Sequence, residues 1–314
     1  MLDCAMIRVR LLALFLLAIA CSPAPVAPAV APVAVAPAAP SAAAPAEAPA
    51  QPAPVEISWR PLSPGLDFAE IPLPVPSRVG DSVLRVARID PAVLDLSLQM
   101  ASASGGRPRS VDAWLDATGG VAVINAAMYA TDFVSSVGWM SKGEHVNHGG
   151  WSKDQNSLLA LDPNKADLPA FHLFNIGCES RADAENSYGT RVQSIRMMGC
   201  AGENLWSEQP REWSSAIIGE DSAGRALFLH VRSPYSMHAL VDQLISLPLQ
   251  LRALHYCEGG PEASLAVRSP TLSQTWVGSW ETGFLERDDN NLAMDLPNVI
   301  VATPKPAPEP AAEP

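Results

Sequence analysis

Positive charge is scarce in this sequence. Its 314 residues carry 21 lysines and arginines against 33 aspartates and glutamates, a formal net charge of −12. No basic cluster could neutralise a row of phosphates, which argues against nucleic acid as a partner. Long apolar runs are also lacking. The N-terminal run, Leu11 to Ile19, is too short to span a bilayer as a permanent helix.

Cysteine is limited to five positions in the whole chain. None of them has the spacing of a metal site, and we expect neither a metal nor another cofactor. Cys4 and Cys21 belong to the N-terminal region. Of the other three, Cys178 and Cys200 are the natural pair for a disulfide in an oxidising compartment, although Cys257 makes three pairings available.

Residues 1–20 have the pattern of an export signal, with a short basic region before the apolar run. Ala20 precedes Cys21, and this ending resembles a bacterial lipoprotein signal, in which the cysteine becomes the lipidated first residue. Ala18 stands where such signals usually have leucine. We predict a lipid anchor at Cys21 and a place in the bacterial cell envelope, at the outer membrane facing the periplasm or the surface. The alternative is an ordinary secretory signal that happens to contain a cysteine.

Two flanking segments are rich in proline and alanine. Residues 21–54 predict a semi-rigid extended tether that could reach roughly 100 Å, because proline fixes φ and removes donors. Residues 303–314 predict a disordered tail. The segment between them, residues 55–302, is long enough for one substantial core or two small lobes.

The first part of this core segment alternates with period two. Arg85–Asp90 and Leu94–Met100 predict adjacent half-buried strands with a turn between them. Ser110 predicts the cap of a short helix that ends at Gly119. The continuous apolar run Val121–Tyr129 predicts a buried strand.

The later part predicts a hairpin over Ser215–Val231, built from two apolar strands around an acidic and glycine-containing turn. Ser236–Leu247 has apolar residues at helical spacing, with serine as its cap and proline after it. The next apolar segment, Leu249–Tyr256, predicts a strand. This order of strand, helix and strand implies a right-handed crossover onto one sheet.

The most informative stretch follows that strand. Glu258 ends the apolar run, Gly259 and Gly260 form a turn, and Glu262 supplies a second carboxylate. A Gly-Gly turn lets a ligand approach the backbone closely, so two acids beside it predict a site. Glu258 and Glu262 are therefore the candidate functional carboxylates. The alternative for Glu258 is that it satisfies backbone N–H groups of the turn.

Asn125, at the end of the predicted buried strand, is a candidate for holding a hydroxyl or amide group of a ligand, and equally a candidate for stabilising a turn. The predicted hairpin and loop of residues 138–151 contain side chains that suit a sugar, Trp139 and His148 among them. His145 and His148 would point to opposite faces of a strand, which disfavours a metal site. Arg191 and Arg196 are candidate phosphate ligands, or solvated surface charges.

This order of parts resembles the phosphodiester glycosidase family over roughly residues 83–267. Members typically have Asn-Gly-Gly-x-Phe at the first motif and Leu-Asp-Gly-Gly-x-Ser at the second. Here Asn125 and the aromatic Tyr129 remain, Glu258 replaces the aspartate, and Glu262 stands where serine is expected. The family's arginine before the Ala-Ile-Gly hairpin has no match, and Arg211 is displaced from that position.

The resemblance implies an α+β fold with a mixed, largely antiparallel, twisted sheet core and few helices. It also implies an envelope-tethered hydrolase of a glycosyl phosphodiester or a related glycan bond. In that reaction Glu258 would be the catalytic carboxylate and Glu262 a second acid or base. Asn125 and Tyr129 would hold the sugar, and Arg191, Arg196 or Arg211 would meet the phosphate. The lost glycines and the missing arginine leave a second hypothesis, a non-catalytic glycan- or envelope-binding lipoprotein on the same scaffold.

Overall fold

The computed structural model describes residues 56–306, in which antiparallel strands dominate and the predicted α+β class is confirmed. The strands, in chain order, are β1 (Arg60–Ser63), β2 (Leu66–Pro72), β3 (Val83–Ile89), β4 (Leu94–Met100), β5 (Ala122–Asn125), β6 (Met140–Lys142), β7 (His145–His148), β8 (Ser157–Pro163), β9 (Phe171–Asn175), β10 (Tyr188–Ser194), β11 (Trp213–Asp221), β12 (Ala226–Tyr235), β13 (Leu251–Gly259), β14 (Ser264–Arg268), β15 (Ser273–Val277), β16 (Trp280–Glu281), β17 (Leu285–Glu286) and β18 (Asn298–Pro304). The α-helices are α1 (Val111–Thr118), α2 (Arg181–Ser187) and α3 (Met237–Ser246). None of the helices in this part of the chain is long and apolar enough to cross a membrane.

The strands form three sheets. The first has the order β1-β2-β3-β12-β11-β16-β17, and β13 also pairs with β11. The second has the order β7-β6-β10-β8-β9, and the third has the order β15-β14-β5-β18-β4. One apolar core draws on all three sheets, with Phe228, Leu159 and Ile300 among its fully buried members.

The helices cover outer faces of these sheets. Leu240, Val241 and Leu244 of α3 pack with residues of β11 and β12 in a second apolar cluster. Trp114 and Leu115 of α1 pack with β5 and β18 in a third. Burying these faces leaves the strand ends and their turns as the places where polar side chains can meet a ligand.

Both long helices have the predicted caps. The Ser110 side chain accepts a hydrogen bond from the Ala113 amide, and the Ser236 side chain accepts one from the Ala239 amide. Each satisfies one of the amides that a helix start leaves free. Gly119 ends α1 in the left-handed conformation, with φ 65°, so the predicted termination at this glycine is confirmed.

The predicted hairpin is confirmed, and so is the return of the chain to the same sheet after the helix. β11 and β12 pair antiparallel around the turn that contains Gly224. After α3 the chain returns to the same sheet, where β13 pairs with the other edge of β11. β12 and β13 therefore run parallel, with β11 between them.

Three details differ from the sequence predictions. The alternating segments become β3 and β4, but β3 pairs with β2 and β12, whereas β4 pairs with β18 in another sheet. Alternation shows that a strand has one buried face, and it carries no information on its partner. The run Val121–Tyr129 leaves the sheet after Asn125. Finally, β18 continues to Pro304, so Thr303 and Pro304 pair with β4 and do not belong to the predicted tail.

Candidate active site

The predicted acid-bearing turn connects two sheets. Glu258 and Gly259 end β13 in the first sheet, residues 260–262 form one short 3₁₀ turn, and β14 begins in the third sheet at Ser264. Gly260 has φ +65°, a conformation that L side chains adopt rarely. A Cβ atom on Gly259 would lie 2.4 Å from the Tyr256 hydroxyl. The two glycines are therefore needed for the tight passage between sheets.

Asn125, the last residue of β5 in the third sheet, stabilises this turn. Its side-chain nitrogen donates to the Glu262 carbonyl at 3.0 Å, and its side-chain oxygen accepts from the Ser264 amide at 2.8 Å. The residue is buried. Both polar ends of the side chain are thus used by backbone groups, which favours the turn-stabilising alternative over direct contact with a sugar.

Two buried histidines hold the neighbouring backbone. His230 Nε2 lies 3.2 Å from the Ala263 carbonyl, and His255 Nε2 lies 3.2 Å from the Ala126 carbonyl. Burial lowers the pKa of His230 to about 3 and that of His255 to about 4, so both rings are neutral. A carbonyl can only accept, so each ring is protonated at Nε2 and donates from that atom.

A cavity of about 320 Å³ opens beside the turn, enough for a ligand of monosaccharide size. Its lining combines carboxylates, one arginine and apolar or aromatic side chains. The lining residues are Met128, Tyr129, Arg211, Trp213, Tyr256, Glu258, Gly259, Gly260, Glu262 and Glu281.

Three carboxylates and one guanidinium group, that of Arg211, face this cavity. Glu258 Oε1 accepts from the Gly259 amide at 3.1 Å. The Oε2 atoms of Glu281 and Glu262 lie 2.8 and 3.3 Å from the position that a Cβ on Gly260 would take, so these two carboxylates are near neighbours. Arg211 Nη2 lies 2.9 Å from Glu281 Oε1. One arginine cannot neutralise three carboxylates.

The excess of negative charge changes the acidity of the site. Desolvation, together with the charges of Glu262 and Glu281, raises the pKa of Glu258 to about 8, against the opposing effect of the Gly259 and Tyr129 amides. Desolvation and the Glu281 charge raise the pKa of Glu262. Desolvation and the charges of Glu258 and Glu262 raise the pKa of the Tyr129 phenol as well. Glu258 therefore keeps its proton at neutral pH, although its side chain remains partly exposed to the cavity.

Six of the residues predicted from the sequence meet at this cavity. They are Tyr129, Arg211, Glu258, Gly259, Gly260 and Glu262.

Two of the candidate arginines lie elsewhere. Arg191 donates to the Glu185 carbonyl and lies over the Trp139 ring at 5.3 Å. Arg196 Nη1 donates to the Asn175 side chain at 2.6 Å. Arg191 therefore contacts α2 and Arg196 contacts the end of β9, and neither side chain lies in the cavity lining.

Trp139 and His148 are also absent from the lining. Trp139 packs edge-on against Trp151, with ring centroids 6.4 Å apart. His148 Nδ1 lies 3.1 Å from the Gly138 carbonyl. The predicted hairpin of β6 and β7 is confirmed, but Trp139 and Trp151 are half-buried and pack against a separate apolar cluster that contains Phe174 and Tyr188.

Sequence reasoning missed four lining residues, namely Met128, Trp213, Tyr256 and Glu281. Glu281 lies in a two-residue strand that has no periodic pattern. It reaches the cavity because it pairs with Trp213, at the start of β11. This contact joins positions far apart in the chain, and no local signal predicts it.

The disulfide joins Cys178 to Cys200, and Cys257 is a buried free thiol. This is the pair suspected from the sequence. Within residues 56–306 there is no group of three or more His, Cys, Asp or Glu side chains arranged to hold a metal ion.

No protein-family model matches this chain, and no curated protein sequence matches it. Its fold is similar to that of the zebrafish N-acetylglucosamine-1-phosphodiester alpha-N-acetylglucosaminidase catalytic domain auto-inhibited by its pro-peptide. That match has a TM-score of 0.54 and 11% identity, and covers 81% of this chain and 89% of the other. A hypothetical protein from Synechocystis matches with a TM-score of 0.50 and 12% identity, over 81% of this chain and 64% of its own. At these identities the likeness is a distant relationship of fold.

Proposed function

We propose that this protein is a hydrolase that cleaves a glycosyl phosphodiester or a related glycan bond at the bacterial envelope. The observation that carries the proposal is the meeting of Glu258, Glu262 and Glu281 in one cavity of monosaccharide size. Glycoside hydrolysis requires one carboxyl group that holds a proton and one carboxylate that does not. Here the surroundings of Glu258 supply the first, and a neighbouring glutamate supplies the second.

The roles differ from the initial interpretation of the sequence. Because the pKa of Glu258 is raised to about 8, this residue suits the general acid, which protonates the leaving oxygen. Glu262 or Glu281 then stabilises or attacks the anomeric centre. A phosphate leaving group needs little protonation, so a proton on Glu258 extends the reaction to glycan bonds with poorer leaving groups.

The remaining lining suits the two parts of such a substrate. Tyr129, Trp213 and Tyr256 provide aromatic walls, of the kind on which sugar rings stack. Arg211 is the one lining residue that can pair with a phosphate through its planar donors. The zebrafish catalytic domain of similar fold is named for an N-acetylglucosamine-1-phosphodiester, which suggests the class of substrate to test first.

A second function is a non-catalytic glycan- or envelope-binding lipoprotein. The hydrogen bond from the Gly259 amide to Glu258 Oε1 favours it, because a carboxyl group in this position also stabilises the turn. The ion pair between Arg211 and Glu281 favours it too, since it occupies the cation that a phosphate would need.

Turnover of a panel of sugar 1-phosphodiesters and aryl or alkyl glycosides separates the two functions. We expect hydrolysis by the wild type. Glu258→Gln should lower kcat/KM about 10²- to 10⁴-fold for the poorest leaving groups and less for phosphodiesters.

The matched control is Glu212→Gln, which removes a neighbouring carboxylate that pairs with Arg78 outside the cavity lining. It should leave turnover unchanged. Binding of a sugar with no turnover of any panel member would instead support the binding protein.

The lipid tether at Cys21 is part of the proposal, and this residue lies outside the described part of the chain. Mass spectrometry of the mature protein should find a diacylglyceryl cysteine at the N-terminus. Cys21→Ser should abolish the modification. An unmodified N-terminus downstream of this residue would contradict the anchor.

A further inference from the structure

Glu281 enters the cavity from outside the segment that the sequence singled out. The two-residue strand β16 pairs with the start of β11, where Glu281 lies opposite Trp213. Two further hydrogen bonds fix this pairing, because the Thr282 amide and hydroxyl both donate to the Glu212 carbonyl at 3.0 Å. The Glu281 carboxylate is therefore held at the cavity wall by backbone structure.

The only partner of this carboxylate among the described cations is Arg211, at 2.9 Å. The arginine side chain is 56% exposed and the glutamate side chain 29% exposed. Ion pairs that are this open to solvent contribute little to stability. Arg211 can therefore leave this ion pair for a stronger partner without a change in the fold.

A phosphate group is such a partner for an arginine. It can accept two parallel hydrogen bonds from the guanidinium group, whereas Glu281 accepts one, from Nη2. The Arg211 guanidinium also lies 5.9 Å from the Trp213 ring, at the edge of the cavity that a sugar would occupy. An anionic group attached to that sugar would arrive next to this side chain.

We propose that Arg211 exchanges Glu281 for the anionic group of the substrate, and that the released Glu281 carboxylate becomes a third functional acid of the site. The substrate class rests on the proposed hydrolysis of a glycosyl phosphodiester. The exchange itself is a binding event and can be measured without turnover.

The exchange has an electrostatic consequence. Glu258 and Glu262 line the same cavity as Glu281, and Arg211 is the one cation in that lining. Once the guanidinium pairs with phosphate, Glu281 loses its counterion. The site then favours uptake of a proton, so anion binding should be stronger at low pH than at high pH.

The test is a titration with α-glucose 1-phosphate followed by ³¹P NMR, on the wild type and three variants. Glu281→Gln should bind the anion about two- to fivefold more tightly, because Arg211 no longer has a competing partner. Arg211→Gln should bind it at least about tenfold more weakly. Adding Glu281→Gln to Arg211→Gln should restore little of the affinity, because the two changes act through one ion pair.

Glu212→Gln is the matched control. It removes a carboxylate that pairs with Arg78 at a similar exposure, 57% and 31% for the two side chains, and it should leave anion affinity unchanged. Unchanged or weaker binding by Glu281→Gln would overturn the exchange, as would the absence of measurable binding by both the wild type and Glu281→Gln. Tighter binding by Glu281→Gln with no turnover by the wild type would uphold the exchange and contradict the hydrolase.

Discussion

Two clusters of acids lie at opposite ends of the same pair of strands, β11 and β13. At one end are Glu258 and the cavity. At the other, Glu220 of β11 and Arg252 of β13 meet His172 and Glu179 from the second sheet. Each cluster has one arginine, but the partners of the carboxylates differ.

In the second cluster, which we call the His172 network (His172, Glu179, Glu220 and Arg252), every carboxylate has strong partners. Glu220 Oε2 accepts from Arg252 and from the Leu173 amide, both at 2.6 Å. Burial would raise the pKa of Glu179, but hydrogen bonds from His172 and the Asn175 amide lower it to about 2. Burial of Glu220 is likewise outweighed by His172 and Arg252, and its pKa is lowered.

In the cavity the pKa of Glu258 is raised, because desolvation and the charges of Glu262 and Glu281 outweigh the hydrogen bonds from backbone amides. The comparison separates structural from functional acids. Charges that are fully paired stabilise the contact between sheets, whereas charges left in excess are available to a ligand.

The largest effect should come from breaking the His172 network. Arg252→Met leaves Glu220 buried with His172 as its remaining charged partner, and we expect unfolding in urea to require about 3–5 kcal/mol less. Arg78→Met, which breaks an exposed pair, should cost less than about 1 kcal/mol. Equal losses for the two variants would contradict the assignment of this network to stability.

The contributions of the two clusters to folding stability should also change with pH in opposite directions. The folded-state pKa of Glu179 is about 2, below its ordinary 4.5, so its stabilisation is present above pH 4.5 and is lost as pH falls toward 2. The folded-state pKa of Glu258 is about 8, so its contribution is present below pH 4.5 and is lost as pH rises toward 8. The free energy of unfolding in urea should be measured across pH. Its decrease between pH 4.5 and 2 should become smaller in Glu179→Gln, and its decrease between pH 4.5 and 8 should become smaller in Glu258→Gln. A pH dependence of the unfolding free energy that is the same in both variants as in the wild type would contradict the pKa assignments.

A smaller effect on stability is expected at Asn125, whose side chain holds the backbone of the turn beside the cavity. Asn125→Ala removes two hydrogen bonds to the backbone of residues 262–264, and we expect a loss of about 1–3 kcal/mol in the free energy of unfolding. The displaced turn should lower kcat. A variant of normal stability with a raised KM alone would instead support the other alternative, direct contact with a sugar.

The smallest effects should come from four residues predicted for the site and found elsewhere. Conservative changes at Trp139, His148, Arg191 and Arg196 should alter kcat/KM about twofold or less, because these side chains lie outside the cavity lining. Their kinetics should match those of Glu212→Gln. A tenfold loss in any of them would place part of the substrate on the second sheet.

Local patterns predicted the local structure of this chain. The serine caps of α1 and α3, the hairpin of β11 and β12, and the turn at Gly260 follow from residues close in sequence. The sheet that each strand joins does not, as β3 and β4 show. For the same reason Glu258 and Glu262 could be found from the sequence, whereas Glu281 could not.

The central claim is that Glu258 keeps its proton at neutral pH, while the acids of the His172 network do not. A ¹³C NMR titration of labelled glutamate carboxyl carbons, compared with Glu258→Gln, measures this directly. We predict one carboxyl resonance with a midpoint of about pH 8 that is missing from the variant. If every glutamate titrates below about pH 5.5, near or under its ordinary range, the account of this site is contradicted.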